Sequence, residues 1–446
     1  MEQQHMFTNR MIRNLLVPVV LEQILNSIMG TADTMMVSNV GSAALSAVSL
    51  VDSINVLLIQ AFSALAAGGA IVCAQYIGQR NYEKANMSAR QVLFIITAIS
   101  VVVSAVCLIF QKPLLRLIFG AVDADVMRAS EIYFFFTALS FPFIAAYDSA
   151  ASIFRAQENT KGPMTISMIS NIMNIGGNAV LIWVFHLGVA GAAISTLVSR
   201  IFCAVVVLWQ LRKDRQPVVV KDYLKIRPDW SMIGRILGLG IPSGIENSMF
   251  QLGKLAIQST VSTLGTAAIA AQAMTNILEN LNGIAAIGVG VGLMTIVGQC
   301  LGAGRKDEAV YYIKKLCVIA EAVIIVSCLI VYVLVRPVTV LGGMERTSAD
   351  MCIHMITWIT IVKPVVWTMA FVPGYGLRAA GDVKFSMITS CCTMWACRFC
   401  LCVFLIRVLG FGPMGVWIGM FADWTVRGII FTWRFHSRKW LEHKVI

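Results

Sequence analysis

Twelve apolar runs of about 20 residues, each bounded by charged or turn residues, fill this 446-residue chain. A helix of about 20 residues crosses the hydrocarbon core of a bilayer. The composition agrees, with 58% hydrophobic and 13% charged residues against about 25% charged residues in a soluble domain. We therefore predict an all-α integral membrane protein of twelve transmembrane helices, which excludes a soluble enzyme, a disulfide scaffold and a disordered chain. The runs are centred near residues 24, 60, 100, 141, 175, 200, 247, 284, 323, 364, 397 and 424.

The positive charges predict the orientation. The two termini and the loops on their side hold 24 Lys and Arg residues, whereas the opposite loops hold six. Cytoplasmic loops are enriched in these residues, so both termini are predicted to lie on the cytoplasmic side of an inner (plasma) membrane. The net charge of +12 is explained by this orientation and does not indicate a nucleic-acid partner. The first apolar run continues through Glu22 and Asp33 without a cleavage site, which favours a first span over a signal peptide.

The chain contains an internal repeat. A shift of 224 residues superimposes Pro18 on Pro242, Glu22 on Glu246, Gly41 on Gly265, Gln75 on Gln299 and Gly188 on Gly412. Six spans per copy give both copies the same orientation, so the architecture is two parallel six-helix repeats around a central cleft. This arrangement is typical of an alternating-access transporter. The predicted organisation is an N-lobe over residues 1–210, a cytoplasmic linker over 211–234 and a C-lobe over 235–446.

Several short motifs follow one another along the chain. They are Ala32-Asp33-Thr34, Gln75-Tyr-Ile-Gly78, Gln299-Cys-Leu-Gly302, Leu377-Arg378-Ala-Ala-Gly381-Asp382, the stretch 187–193 and the C-terminal stretch 423–440. Together they cover nearly the whole chain, which resembles the bacterial members of the multidrug and toxic compound extrusion family. The resemblance implies a secondary antiporter, not an enzyme, that exports amphipathic and often cationic small molecules. It implies no cofactor beyond a coupling ion, H⁺ or Na⁺, and we expect a monomer among membrane lipids.

The same resemblance implies a site for the coupling ion. Carried over residue by residue, the site consists of Asp33, Asn174, Asn178 and Thr196, and Pro18 is the hinge of the first span. Many members carry a second aspartate where this chain has Asn178. A single carboxylate favours protonation as the coupling step, whereas the amide and hydroxyl oxygens keep Na⁺ as an alternative.

Ionisable side chains inside the spans cost about 2.5–3.5 kcal/mol each and mark pathways by default. The spans hold eight acids and five cations, a balance that favours a cationic cargo. The acids are Glu22, Asp33, Asp52, Asp148, Glu246, Glu279, Glu321 and Asp423, and the cations are Arg200, Lys254, Lys363, Arg398 and Arg427.

A second group of these charges is either a second site or structural. Its members are Glu22, Asp52, Glu246, Lys254 and Glu279. Glu22 and Glu246 follow matched prolines by one turn, which favours hydrogen bonding at helix breaks. Lys254 is predicted to pair with Asp52, Glu246 or Glu279, because a buried ammonium either pairs or loses its proton.

The remaining span charges are read as structural. Asp423 and Arg427 are four residues apart on one helix and are predicted to pair with each other. Arg200, Lys363 and Arg398 are predicted to extend their charged ends toward span ends or polar cavities.

Two other classes of function have different sequence requirements. A flippase or exporter of lipid-linked or other amphiphilic metabolites would have a cavity lined with many Arg and Lys residues. An intramembrane enzyme would need a nucleophile with its base or a metal-binding pair such as His-Glu-x-x-His, and the five histidines are not so arranged. The sequence has no Walker loop, so the predicted energy source is an ion gradient. The Cys-x-x-Cys at Cys397 and Cys400 lies in an apolar helix and is read as packing, with no metal site beyond Na⁺.

Overall fold

The computed structural model describes residues 5–446, and every regular element over this range is helical. A π-helical segment, Ala179–Val184, continues the seventh helix, and a second one, Met394–Cys400, joins the thirteenth to the fourteenth. The helices of the first repeat are α1 Asn9–Ser38, α2 Ser42–Gly78, α3 Tyr82–Ile109, α4 Gln111–Phe119, α5 Ala124–Leu139, α6 Phe141–Ala156, α7 Lys161–Asn178 and α8 Val189–Leu211. Those of the second are α9 Trp230–Val261, α10 Thr266–Gly302, α11 Lys306–Leu341, α12 Arg346–Ala379, α13 Val383–Thr393, α14 Leu401–Arg407 and α15 Met414–His436.

Most of these helices are suited to a bilayer. Within residues 5–446, nine helices are long and apolar enough to cross a membrane, and α5 with α6, bent by 42° at their junction, makes a tenth span. Helices α9 and α15 complete the predicted twelve in chain order. They are less apolar because polar residues such as Glu246 and Asn247 in α9, and Asp423 and Arg427 in α15, interrupt them. The predicted all-α fold of two six-helix repeats is confirmed.

The backbone repeats with the same offset as the sequence. Residues with positive φ recur 223 or 224 positions apart, and in three of the six pairs one copy has a side chain where the other has glycine. The pairs are Gly41 with Gly265, Arg80 with Gly304, Gly120 with Gly343, Glu158 with Gly381, His186 with Gly410, and Gly188 with Gly412. Left-handed backbone strongly favours glycine, so the turns repeat even where the residue types do not.

The chain divides into two compact units. The N-terminal unit is Leu25–Gly244, and the C-terminal unit is Ile245–Val445 together with the chain up to Ile24. Each unit therefore includes the first half of a helix from the other repeat, α1 in the C-terminal unit and α9 in the N-terminal unit. In the N-terminal unit a Cβ on Gly68 of α2 would lie 2.6 Å from the Gly240 nitrogen of α9. At the repeat-equivalent Gly292 of α10, in the C-terminal unit, a Cβ would lie 2.8 Å from Leu15 Cδ2 of α1. Glycine at these two positions lets the helices approach closely.

The turn after α10 offers a test of backbone strain. Gly304 has φ +74° and open space where a Cβ would be, so Gly304→Ala acts on the backbone alone. We expect it to lower the free energy of unfolding by about 1 kcal/mol, measured by thermal unfolding in detergent. The matched control is Gly234→Ala in α9, where a Cβ also meets open space but φ is not positive. Because alanine favours a helix, the control should raise stability. Equal effects of the two substitutions would contradict the prediction.

Candidate coupling site and charged cavity

The four predicted coupling residues lie together in the N-terminal unit. Asp33 on α1 is half-buried, and the Asn178 amide nitrogen on α7 donates to its Oδ1 at 2.6 Å. When the Asn174 amide is oriented so that both its atoms are satisfied, its nitrogen donates to Asp33 Oδ1 at 2.6 Å and to Oδ2 at 3.0 Å. The other end of that amide faces the hydroxyl oxygen of Thr196 on α8 at 3.3 Å. Side chains from three helices therefore form one polar cluster around the carboxylate of Asp33.

The local structure explains why the two amides point to the same carboxylate. Asn174 and Asn178 are four residues apart on α7, which places them on one helix face. Ser195 of α8 donates its hydroxyl to the Asn174 backbone carbonyl at 2.8 Å, which joins the two helices at this level. The π-helical segment begins directly after Asn178, and such segments are frequent at functional sites. The Asn178 side-chain oxygen is buried and has no hydrogen-bond partner among residues 5–446.

The polar face of α1 extends beyond Asp33. Asn26, two turns earlier, accepts hydrogen bonds from Ser167 at 2.8 Å and from Asn171 at 2.9 Å, both on α7. Glu22 is 2% exposed and belongs to the part of α1 that lies in the C-terminal unit. Pro18 lies inside α1, and the helix continues through it. The polar face and the proline are thus on one helix, as the sequence predicts.

A second charged group in the N-terminal unit centres on Arg200 of α8. Its guanidinium donates to Ser140 Oγ at 2.7 Å, and its charge interacts with those of Asp33, Asp52 and Asp148. Arg200 is predicted from sequence to extend toward a span end or a polar cavity, and it lies in this polar group. The signal that could have identified it is the presence of three acids in the same repeat. Arg200 links Asp33 electrostatically to Asp52, which was named as a second-site candidate.

The C-terminal unit contains a cavity of about 210 Å³. Charged and aromatic side chains from α9, α10, α12, α15 and the second π-helical segment form most of its wall. The charged members are Glu246, Lys254, Glu279, Lys363, Arg378, Arg398 and Arg427, and the aromatic ones are Phe250, Trp367, Phe371, Tyr375, Trp424 and Phe431. Three of the residues predicted from sequence to be a second site or structural, Glu246, Lys254 and Glu279, therefore share one cavity.

Both carboxylates of the cavity wall form ion pairs between helices. Glu279 on α10 pairs with Lys363 on α12 at 2.6 Å, and the ammonium also contacts Asn282. Glu246 on α9 pairs with Arg378 on α12 at 2.6 Å. The hypothesis that Glu246 serves a helix break after Pro242 is wrong, because its partner is a cation 132 residues away.

A third carboxylate, Asp423, holds two of the cavity's arginines. It is fully buried, with its oxygens 2.9 Å from Arg427 and 3.2 Å from Arg398. The predicted pairing of Asp423 with Arg427 is confirmed. Lys363 and Arg398 are predicted from sequence to reach a span end or a polar cavity, and the structure has the second: both line the cavity, are 0% and 2% exposed and are ion-paired.

Lys254 on α9 is the one cavity cation without an ion pair in the part of the chain that the structure describes. Its side chain is exposed, no carboxylate lies within 4.0 Å, and its Nζ lies 5.6 Å from the centre of the Phe250 ring. The predicted pairing of Lys254 is wrong, because Glu246 and Glu279 are already paired with other cations. A positive charge therefore faces the cavity with no carboxylate of the described residues in ion-pair contact with it.

Comparison with known proteins identifies the family. A model of the MatE family matches residues 18–180 and 242–404. The two matched segments begin and end 224 residues apart, the same offset that relates the two sequence repeats. This chain belongs to the MatE family. The MatE protein is accordingly a multi-pass membrane transporter of the multidrug efflux type and not an enzyme.

Two curated relatives cover nearly the whole MatE chain. It is 27% identical to the uncharacterized transporter YisQ of Bacillus subtilis over 95% of this chain and 93% of the relative. It is 23% identical to a probable multidrug resistance protein NorM of Thermotoga maritima over 97% of this chain and 93% of the relative. Among solved structures, it superimposes on the outward-facing conformation of a multidrug resistance MATE family transporter of the MOP superfamily. That match has a TM-score of 0.88 at 19% identity and covers 96% of each chain.

Proposed function

We propose that this MatE transporter is an antiporter that couples the entry of H⁺ at Asp33 to the export of amphipathic organic compounds. The observation that carries the proposal is the contact of one half-buried carboxylate with the amides of Asn174 and Asn178. Both termini are taken to be cytoplasmic, in an inner membrane, and the transporter to act as a monomer. The lobes and linker keep the sequence boundaries given above.

The hydrogen bonds favour a proton over a sodium ion. The Asn178 amide directs its nitrogen at Asp33, which suits an ionised carboxylate that only accepts hydrogen bonds. A sodium ion bound between Asp33 and Asn178 would need the Asn178 amide to turn its oxygen inward. Binding of a proton requires a smaller rearrangement of the amides than binding of a sodium ion. The neutral carboxyl group donates one hydrogen bond and keeps part of its acceptor capacity.

Protonation then has a mechanical consequence. When Asp33 becomes neutral, its bonds to Asn174 and Asn178 weaken, because charge-assisted hydrogen bonds are roughly twice as strong as neutral ones. Helix α1 is released from α7 at this level. Pro18 already removes one backbone hydrogen bond from α1, so the helix bends there and the cargo is released. The energy difference between the two states of Asp33 is what shifts the conformational equilibrium.

The prediction of a cationic cargo is supported by the charges of the N-terminal unit. Asp33, Asp52 and Asp148 surround the single cation Arg200, and this excess of acid suits a cationic compound. The cavity of the C-terminal unit has the opposite balance. Its cations favour the alternative function, a flippase of lipid-linked metabolites. The antiporter is nevertheless preferred because the single-carboxylate cluster around Asp33 supplies a site for a coupling ion.

Ion gradients imposed separately test the proposal. In everted vesicles, a pH gradient should drive efflux of ethidium or norfloxacin, and a Na⁺ gradient without a pH gradient should not. The isosteric change Asn178→Asp adds a second carboxylate beside Asp33 and is expected to introduce Na⁺ dependence, because two carboxylates suit a hard cation. Asn39→Asp, at an exposed amide between α1 and α2, is the matched control and should leave the ion preference unchanged. Efflux by the natural chain in a Na⁺ gradient alone would overturn the choice of H⁺.

A further inference from the structure

We propose that the cavity of the C-terminal unit binds the carboxylate of an aromatic organic anion, with Lys254 as the cation that contacts it. The inference rests on the proposed export function and names a class of cargo for it. It concerns compounds that carry a carboxylate on an apolar ring system.

The charge balance of the cavity points to an anion. Five cations face it, and the carboxylates that compensate them are Glu246, Glu279 and Asp423. Arg398 and Arg427 both pair with Asp423, so a single negative charge compensates two positive charges. With Lys254, two positive charges are left without a counterion in the cavity. A carboxylate that enters the cavity can pair with Lys254 and offset this excess of positive charge.

Three cations converge on one aromatic ring. The centre of the Phe250 ring lies 4.7 Å from the Arg398 guanidinium, 5.3 Å from that of Arg427 and 5.6 Å from Lys254 Nζ. Glu246, Phe250 and Lys254 follow one another at intervals of four on α9, so they lie along one helix face. The uncompensated charges therefore lie close together around a single point of the cavity wall.

The rest of the wall suits an apolar ring. Trp367 and Phe371 are stacked with their ring centres 4.8 Å apart, and both line the cavity together with Met420. The wall combines six aromatic side chains with its seven charged ones, and aromatic side chains with placed polar groups are typical of sites that bind organic ligands. The volume of about 210 Å³ is of the size of one or two fused rings with a short carboxylate arm.

Equilibrium binding to the purified full-length transporter tests the inference. The probes are indole-3-acetate, indole-3-acetamide and tryptamine, which share one ring and differ in charge, and calorimetry in detergent micelles measures their affinities. We expect the acetate to bind about tenfold or more tightly than the amide, and tryptamine to bind most weakly. Lys254→Gln should weaken acetate binding about tenfold and leave amide binding unchanged, and Lys254→Arg should restore it. The matched control, Lys384→Gln, removes an exposed cation on α13 outside the cavity and should have no effect.

The outcomes separate the inference from the function on which it rests. Equal affinities for acetate and amide, an unchanged affinity in a folded Lys254→Gln variant, or displacement of the acetate by a lower concentration of inorganic pyrophosphate would each overturn it. The binding measurement uses no gradient. A negative result together with intact pH-driven efflux therefore removes the anion site and leaves the antiporter standing. Binding of the acetate without any coupled efflux does the reverse.

Discussion

Asp33→Asn is expected to abolish ion-coupled export while the protein stays folded. Asparagine has nearly the same shape as aspartate but cannot take up or release a proton, so the difference that drives the conformational equilibrium is lost. It also turns one acceptor oxygen into a donor facing the amides of Asn174 and Asn178. Efflux from proteoliposomes under an imposed pH gradient should fall to the level measured without a gradient.

The control for this variant is Asp125→Asn, which neutralises an exposed acid in the first turn of α5. It should leave efflux unchanged, and thermal unfolding should show both variants folded. Gradient-driven efflux at the natural rate from the Asp33 variant would remove this carboxylate from the mechanism.

Asp423→Asn is expected to lower the free energy of unfolding by about 3–5 kcal/mol. The carboxylate is fully buried and is the shared partner of Arg398 and Arg427. Removing its charge leaves two buried guanidinium groups without a counterion, in the second π-helical segment and in α15. The measurement is unfolding by increasing amounts of SDS in mixed micelles.

The matched control for Asp423 is an exposed ion pair. Asp307 lies 3.2 Å from Arg438, and the two side chains are 90% and 60% exposed. Exposed pairs of this kind contribute about 0–1 kcal/mol, so Asp307→Asn should change stability far less than Asp423→Asn. If the two variants unfold at the same SDS content, the buried pairs do not hold the C-terminal unit together.

Patterns along the chain predict the large features of this transporter well. The apolar runs predict helices because backbone groups inside a bilayer must be satisfied within the helix itself. The 224-residue repeat reappears in the positive-φ residues, including Arg80 and Gly304, where the residue types differ. The resemblance brought Asp33, Asn174, Asn178 and Thr196 to attention, and these four do lie in contact. Their role in coupling stays a prediction.

The partners of the buried charges were decided by tertiary structure. Sequence spacing identified Asp423 with Arg427, because residues four apart on one helix are neighbours. Sequence spacing could not predict the ion pair between Glu246 and Arg378, or the absence of an ion pair at Lys254. Both depend on how separate helices pack. Helical periodicity specifies which residues share a face but not which helix that face meets. The sequence by itself therefore determined the spans, the repeat and the list of buried charges, and only the packing of the helices decided which charges neutralise one another and which remain for a ligand.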